Sequence, residues 1–362
     1  MFLLDARNED EFSRWRIESR HPLPTVNLPY FAFIEDEENS IKKVPRGSRV
    51  VVLCAKGGSS DYVAQLLREH GYEAMNVAGG MIAWGNLHKF RPIVRDKELE
   101  IHQADRVGKG CLSYFVWTPA GSIVIDPSRH VKNYLDFAAA RSSEIRMVID
   151  THAHADHISG GADLSHTARA KYYLHPFDAI HPVDVLRARF PFEPLWDGNV
   201  LELGGVTLRT IHTPGHTLGE ISLLLNENYL LTGDTLFIHS AGRPDLGGRG
   251  EPWSHDMYTT LFHRLQVVPA CAKVLPGHYS NLAEANDDGT FAARLDEVRK
   301  TNDLLRPRTE QEFVEYIMSS LPEFPKQYLE IKRINLGLLS PDEDMQSELE
   351  LGKNACALAQ HA

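Results

Sequence analysis

Residues 151–157 read Thr-His-Ala-His-Ala-Asp-His, which places three imidazoles and a carboxylate within six residues. The segment follows the apolar run at 146–150, so it lies where a strand ends and its side chains can converge. Three more ligand-type residues follow similar apolar runs: His216 in "TPGHT", Asp234 in "LTGDTLF" and His278 in "LPGHY". Each stands beside a glycine, which permits the tight turn that aims a ligand inward. A single His-X-His pair often sits solvated on a strand face. Four loops that each end in imidazole or carboxylate point instead to a transition-metal centre.

A second constellation lies near the N-terminus. "VVLCAKGGSS" (51–60) puts Cys54 at the end of an apolar strand, before a glycine-bearing loop and the start of a helix. Successive backbone N–H groups and a helix dipole at that point stabilise an anion and lower a thiol pKa, and Lys56 adds a nearby positive charge. The competing role for Cys54 is that of a small buried apolar residue, the usual fate of a strand cysteine.

The elements that position these residues are legible in the hydrophobic pattern. Over the first ninety residues, strand 49–54, helix 61–72, a short strand in "EAMNVAGG" and a helix beginning at "MIAW" alternate as in a small parallel sheet. The stretch 90–100 is expected to be charged and irregular around Pro92, and a domain boundary is placed there. Beyond it the chain turns β-rich, with strands expected at 111–117, 121–126, 146–150, 206–212, 221–225 and 229–234 and a helix at 131–141. Strands in two runs with interspersed helices predict two sheets covered by helices. The tail from 310 is expected to be helical and then irregular.

Length and composition bound the rest. A chain of 362 residues with 43% hydrophobic and 24% charged residues is globular and long enough for two domains. A net charge of -11 argues against nucleic acid or an anionic membrane surface as partner, and leaves a small anionic substrate open. No apolar run reaches membrane-span length, and the first residues lack the basic and apolar regions of a signal peptide. Cys54, Cys111, Cys271 and Cys356 are too scattered for a disulfide framework, so a cytoplasmic protein is expected.

The histidine and aspartate motifs resemble those of the metallo-β-lactamase superfamily, whose signature is His-X-His-X-Asp-His with downstream His, Asp and His. All seven positions are present as His152, His154, Asp156, His157, His216, Asp234 and His278, and the resemblance covers about 101–300. Within the superfamily, "GDTLFIHSAGRPDLGG" (233–248) and 313–337 look like persulfide dioxygenases. That likeness implies one Fe(II) held by His152, His216 and Asp234. His154, Asp156, His157 and His278 then support those ligands or form a second metal site. It further implies oxidation of glutathione persulfide, or a related low-molecular-weight persulfide, to sulfite by O₂. The alternative is a binuclear zinc thioesterase of glyoxalase II type, with one or two Zn(II) ions. Arg243 and Tyr279 are candidate catalytic residues; for Arg243 an ion pair with Asp245 that braces the loop is the competing role. His239 is left open, and His166, His175 and His181 are assigned to packing or surface.

The segment 1–88 resembles a rhodanese domain through "LLDARNEDEF", the loop "CAKGGSS" and "VAGGMIAW", without the family's usual first strand and helix. The resemblance makes Cys54 a sulfur carrier. Ser59 stands where the family commonly has arginine, and serine cannot replace that bidentate anion clamp. The expected fold class is therefore α/β and α+β, a rhodanese-like parallel-sheet domain (1–92) followed by a metallo-β-lactamase αββα sandwich with a C-terminal helical segment (101–362). The expected partners are a small persulfide and O₂, with no nucleic acid and no membrane; a homo-oligomer is admitted.

Overall fold

The computed structural model describes residues 1–358. The chain divides into two compact units: 1–87 with 106–109 and 351–353, and 88–105 with 110–350 and 354 onward. In the first unit, β1 (Phe2–Asp5), β2 (Thr25–Asn27), β3 (Val50–Leu53) and β4 (Ala74–Asn76) form a parallel sheet ordered β2-β1-β3-β4. Val50, Val52 and Leu4 pack with Val63, Ala64 and Leu67 of helix Gly58–Glu69, whose apolar face is spaced at helical period. Leu3 and Leu53, on alternate positions, pack with Trp15 and Met81.

The second unit holds two further sheets. One contains β5 (His88–Arg95), β6 (Glu100–Arg106), β7 (Cys111–Thr118), β8 (Gly121–Ile125), β9 (Ile145–Ile149), β10 (Lys171–Leu174) and β11 (Glu193–Pro194), with β11 and β5 at its edges. The other contains β12 (Val200–Leu203), β13 (Val206–His212), β14 (Ile221–Leu225), β15 (Tyr229–Gly233), β16 (Lys273–Pro276) and β17 (Ala293–Arg294), in that spatial order. Alternation along the strands gives each sheet two apolar faces. Tyr114, Ile123 and Ile149 meet Leu208, Leu223 and Leu231 in a core between the sheets. Phe115, Val124 and Val148 face Tyr134 and Leu164 of helices Val131–Ala139 and Gly161–Ala168. Leu224, Leu230 and Val274 face Met257, Val298 and Phe313 of helices Gly250–Phe262, Leu295–Thr301 and Glu310–Ser319. Helices therefore cover both outer faces. This is the αββα sandwich.

One expectation needs correction. The stretch around Pro92 is not irregular: β5 runs straight through it. Proline lacks the N–H a central strand requires, but β5 is an edge strand, where one side of the ladder is unused. No described helix is long and apolar enough to cross a membrane.

Candidate metal centre

The seven sequence-predicted residues come together, all buried, at the C-terminal ends of strands. His152, His154, Asp156 and His157 follow β9, His216 follows β13, Asp234 follows β15 and His278 follows β16. The register between β15 and β16 shifts between Leu231 and Gly233, a local bulge that redirects the chain just before Asp234. Gly233 takes φ +49°, and a Cβ there would meet Thr151 Oγ1 at 2.5 Å. Glycine lets the Asp234 loop approach the histidine loop.

Potential ligand atoms fall into three adjoining groups: His152, His216 and Asp234; Cys111, Asp156, His157 and His278; and Asp126, Asp150 and His154. In the first, Asp234 Oδ2 lies 3.4 Å from His216 Nε2 and 3.9 Å from His152 Nε2. Two donor atoms that each bind one ion at roughly 2.1 Å can be at most about 4.2 Å apart, so these separations fit a shared ion. His152 Nε2, His216 Nε2 and Asp234 Oδ2 are moreover buried without a hydrogen-bond partner among the described residues. A stranded buried polar atom costs about 1–3 kcal/mol, and three converging ones are accounted for by a metal.

The other nitrogen of each imidazole is engaged. His216 Nδ1–H donates to the Arg243 carbonyl at 2.8 Å. Thr151 donates its hydroxyl to Asp126 at 2.9 Å, so its oxygen is left to accept from His152 Nδ1–H at 3.0 Å. Both arrangements leave Nε2 as a lone pair. Burial lowers His152 well below the usual imidazole range and His216 to about 4, so both stay neutral. Burial by itself would raise the Asp234 carboxyl, but His278 outweighs it and holds Asp234 below its ordinary value. Two neutral imidazoles and one carboxylate form the set a non-haem iron or a zinc accepts.

In the second group the members satisfy one another. Asp156 accepts from Cys111 Sγ at 3.1 Å, His278 Nε2 at 2.9 Å and His157 Nδ1 at 3.1 Å. His278 Nδ1 also donates to Asp234 at 2.6 Å. Burial opposes protonation of His278 and His157, yet the facing carboxylates prevail, raising His278 well above its usual value and His157 to about 10. His154, expected alongside Asp156, His157 and His278, groups instead with Asp126, 3.3 Å away, and Asp150, 3.9 Å away.

Four supporting residues carried no signal the sequence reading used. Cys111 begins β7, far from every motif. Asp126 ends an apolar strand, as the ligand aspartates do, and that position was its one available clue. Asp178 accepts from Ala153 N–H, Thr217 hydroxyl and Gly219 N–H, at 2.7, 2.7 and 2.8 Å, tying the two histidine loops together. Glu220 accepts from Asp234 N–H at 2.6 Å, and burial pushes its own carboxyl well up. From the C-terminal segment, Lys332 donates to the Ala153 carbonyl at 2.6 Å and Asn335 to the carbonyls of His154 and His157, both at 2.9 Å.

Arg243 is fully buried, and its guanidinium is committed to Asp245 at 2.7 and 2.8 Å and to the carbonyls of Pro322, Glu323 and Ala355. This is the loop-bracing geometry, and it uses all five guanidinium N–H donors. Tyr279 stacks on Phe291 at 3.8 Å and donates to Asp105 at 3.3 Å, outside all three ligand groups. His239 lines a separate cavity. His166 is exposed, His175 stacks on His212 at 4.6 Å, and His181 is buried against the Leu329 carbonyl.

In the first unit, Cys54 Sγ accepts from Gly57 N–H at 3.1 Å and Ser60 hydroxyl at 3.0 Å at the start of helix Gly58–Glu69. Burial raises the thiol, but these donors outweigh it and bring Cys54 below its ordinary value.

Comparison with known proteins agrees with both halves. Residues 106–278 match the metallo-beta-lactamase superfamily and residues 1–87 the rhodanese-like domain. An uncharacterized protein of Mycobacterium leprae (strain TN), ML0493, is 32% identical over 194 residues, covering 46% of this chain and 86% of its own. A hydroxyacylglutathione hydrolase of Pseudoalteromonas translucida (strain TAC 125) is 29% identical over 233 residues, 59% of this chain and 83% of that one. The crystal structure of ETHE1 from Myxococcus xanthus superposes with a TM-score of 0.54 at 22% identity, covering 69% of this chain and 99% of that chain. That likeness is one of fold.

Proposed function

The chain belongs to the metallo-beta-lactamase superfamily and carries a rhodanese-like domain, and from that premise we propose an iron-dependent persulfide dioxygenase. The observation that carries this reading is that His152 Nε2, His216 Nε2 and Asp234 Oδ2 converge without partners, whereas Asp156, His157 and His278 satisfy each other; His154 and Asp150, in the third group, also carry unpartnered atoms. A two-histidine, one-carboxylate face leaves coordination positions for two small molecules, here a persulfide sulfur and O₂. The "GRPDL" loop after Asp234 supports the same subfamily.

The reaction converts a persulfide, O₂ and water to the thiol and sulfite. Bound Fe(II) supplies the electron transfer that activation of O₂ requires. The chain's own residues hold that site. Arg243 and Thr151 fix the ring orientation of His216 and His152, and Glu220 anchors the backbone at Asp234. His278 holds a proton between Asp156 and Asp234 and is placed to exchange it locally. Near-complete burial of the cluster keeps bulk water from the reacting groups. Cys54, whose Sγ accepts from Gly57 N–H and the Ser60 hydroxyl, carries sulfane sulfur to or from this chemistry.

Anaerobically purified protein is expected to hold about one iron per chain and to take up O₂ only when glutathione persulfide is added. A second reading, a binuclear zinc thioesterase, draws on the adjacent Cys111–Asp156–His157–His278 group and on the hydroxyacylglutathione hydrolase relative. Two tightly held zinc ions with thioester hydrolysis and no O₂ uptake would establish it instead.

A further inference from the structure

A cavity of about 310 Å³ lies in the second unit against the backbone of the metal loops. Ala153 and Thr217, the neighbours of His152 and His216, contribute to its lining, but none of the seven ligand-type residues does. Phe177, Val185, Leu218 and Trp253 form apolar walls. Three of them remain substantially exposed, Val185 to 74%, Phe177 to 52% and Leu218 to 40%. Clustered exposed apolar side chains around a cavity mark a place where something binds. Its volume is at the small end of the roughly 300–1,000 Å³ range of small-molecule pockets.

Two cations line the same space. Lys332 is 2% exposed, and its Nζ donates to the Ala153 carbonyl while forming no ion pair among the described residues. Arg249, at the exposed rim, likewise makes no ion pair among them. The one lining carboxylate, Asp178, is already used by Ala153, Thr217 and Gly219. A buried ammonium with one neutral hydrogen-bond partner keeps two N–H donors, and the lining sets two cations, Lys332 and Arg249, against the single carboxylate Asp178. An anionic group entering the cavity supplies what is missing.

We propose that this cavity binds a small molecule with an apolar body and a single anionic head, the head at Lys332 and Arg249 and the body along Phe177, Val185, Leu218 and Trp253. None of the seven ligand-type residues lines this cavity, so the inference stands whichever metal the chain holds.

The test is calorimetric titration of the full chain with octanoate, octanol and octylammonium. Octanoate is expected to bind, octanol about tenfold or more weakly, and octylammonium not at all, as a charge-assisted hydrogen bond worth 1.4 kcal/mol or more requires. Val185→Glu, at an exposed wall position, should abolish octanoate binding, and Lys332→Met should weaken it about tenfold. Should Lys332→Met not fold, Val185→Glu with Arg249→Gln decides the matter. Absent octanoate binding, equal affinity for octanoate and octanol, or unchanged binding by Val185→Glu each overturns the proposal.

Discussion

At the scale of single residues, the two aspartates of the metal centre should separate cleanly. Asp234 offers an unpartnered oxygen to the first group, whereas Asp156 is fully occupied by Cys111, His157 and His278. Asp234→Asn is expected to abolish metal binding, while Asp156→Asn weakens it by about 10–100-fold, as supporting residues do. Metal content after dialysis checks this, and loss of a pair of ions in both variants alike would indicate a binuclear site. Cys54 gives a pH prediction. Its folded-state thiol lies below the ordinary value of 9.0, so alkylation by iodoacetamide should rise through an inflection below pH 9. Ser60→Ala removes one donor to Sγ and should move that inflection upward. An inflection unchanged by Ser60→Ala would show that the hydroxyl does not stabilise the thiolate.

At the scale of elements, the metal loops depend on close approaches that only small residues permit. A Cβ on Gly242 would lie 2.5 Å from the Asp234 carbonyl and 2.6 Å from His216 Nδ1. Gly242→Ala should therefore cost about 1–3 kcal/mol of stability and weaken metal binding, measurable by chelator competition and thermal unfolding. Much at this scale was legible in the sequence. Val206–His212 and Ile221–Leu225 fall where alternation and β-branched residues put them, because both strands bury one face in each of two cores. The β5 edge strand was hidden, since its proline reads as a breaker unless the strand's place in the sheet is known. The three-group division of the ligands was hidden for a related reason. Motif order shows which residues arrive at the strand ends, but the His216 ring is oriented by the Arg243 carbonyl and the Asp234 backbone held by Glu220, contacts that only packing brings into place.

At the scale of the molecule, each compact unit has its own core and its own reactive group. Cys54→Ser should leave iron content and persulfide-dependent O₂ uptake nearly unchanged while abolishing thiosulfate-to-cyanide sulfur transfer. Robust transfer in that variant would sink the assignment of Cys54 as carrier. Wild-type transfer from thiosulfate should be weak, and Ser59→Arg should raise it by restoring a planar clamp for sulfonate oxygens. Removing metal should lower the melting temperature of the second unit alone, because a ligand stabilises only the folded structure that binds it. The change from alternating strand and helix to β-rich texture places the boundary at 92–101, whereas the first unit ends at 87 and takes back 106–109 and 351–353.

The grip of Lys332 and Asn335 on residues 153–157 bears on how the protein is made. All seven ligand-type side chains have left the ribosome's active centre once His278 is added, yet the carbonyls of Ala153, His154 and His157 gain their partners only when the segment through Asn335 follows. At roughly 5–20 residues per second that interval lasts on the order of 3–11 s. The same interval separates emergence of His278 from the ribosome and emergence of Asn335, and within it the metal-binding groups lack the contacts that secure residues 153–157. Which ion the chain acquires during synthesis is then set by a race between docking of helix Tyr328–Asn335 and ion capture.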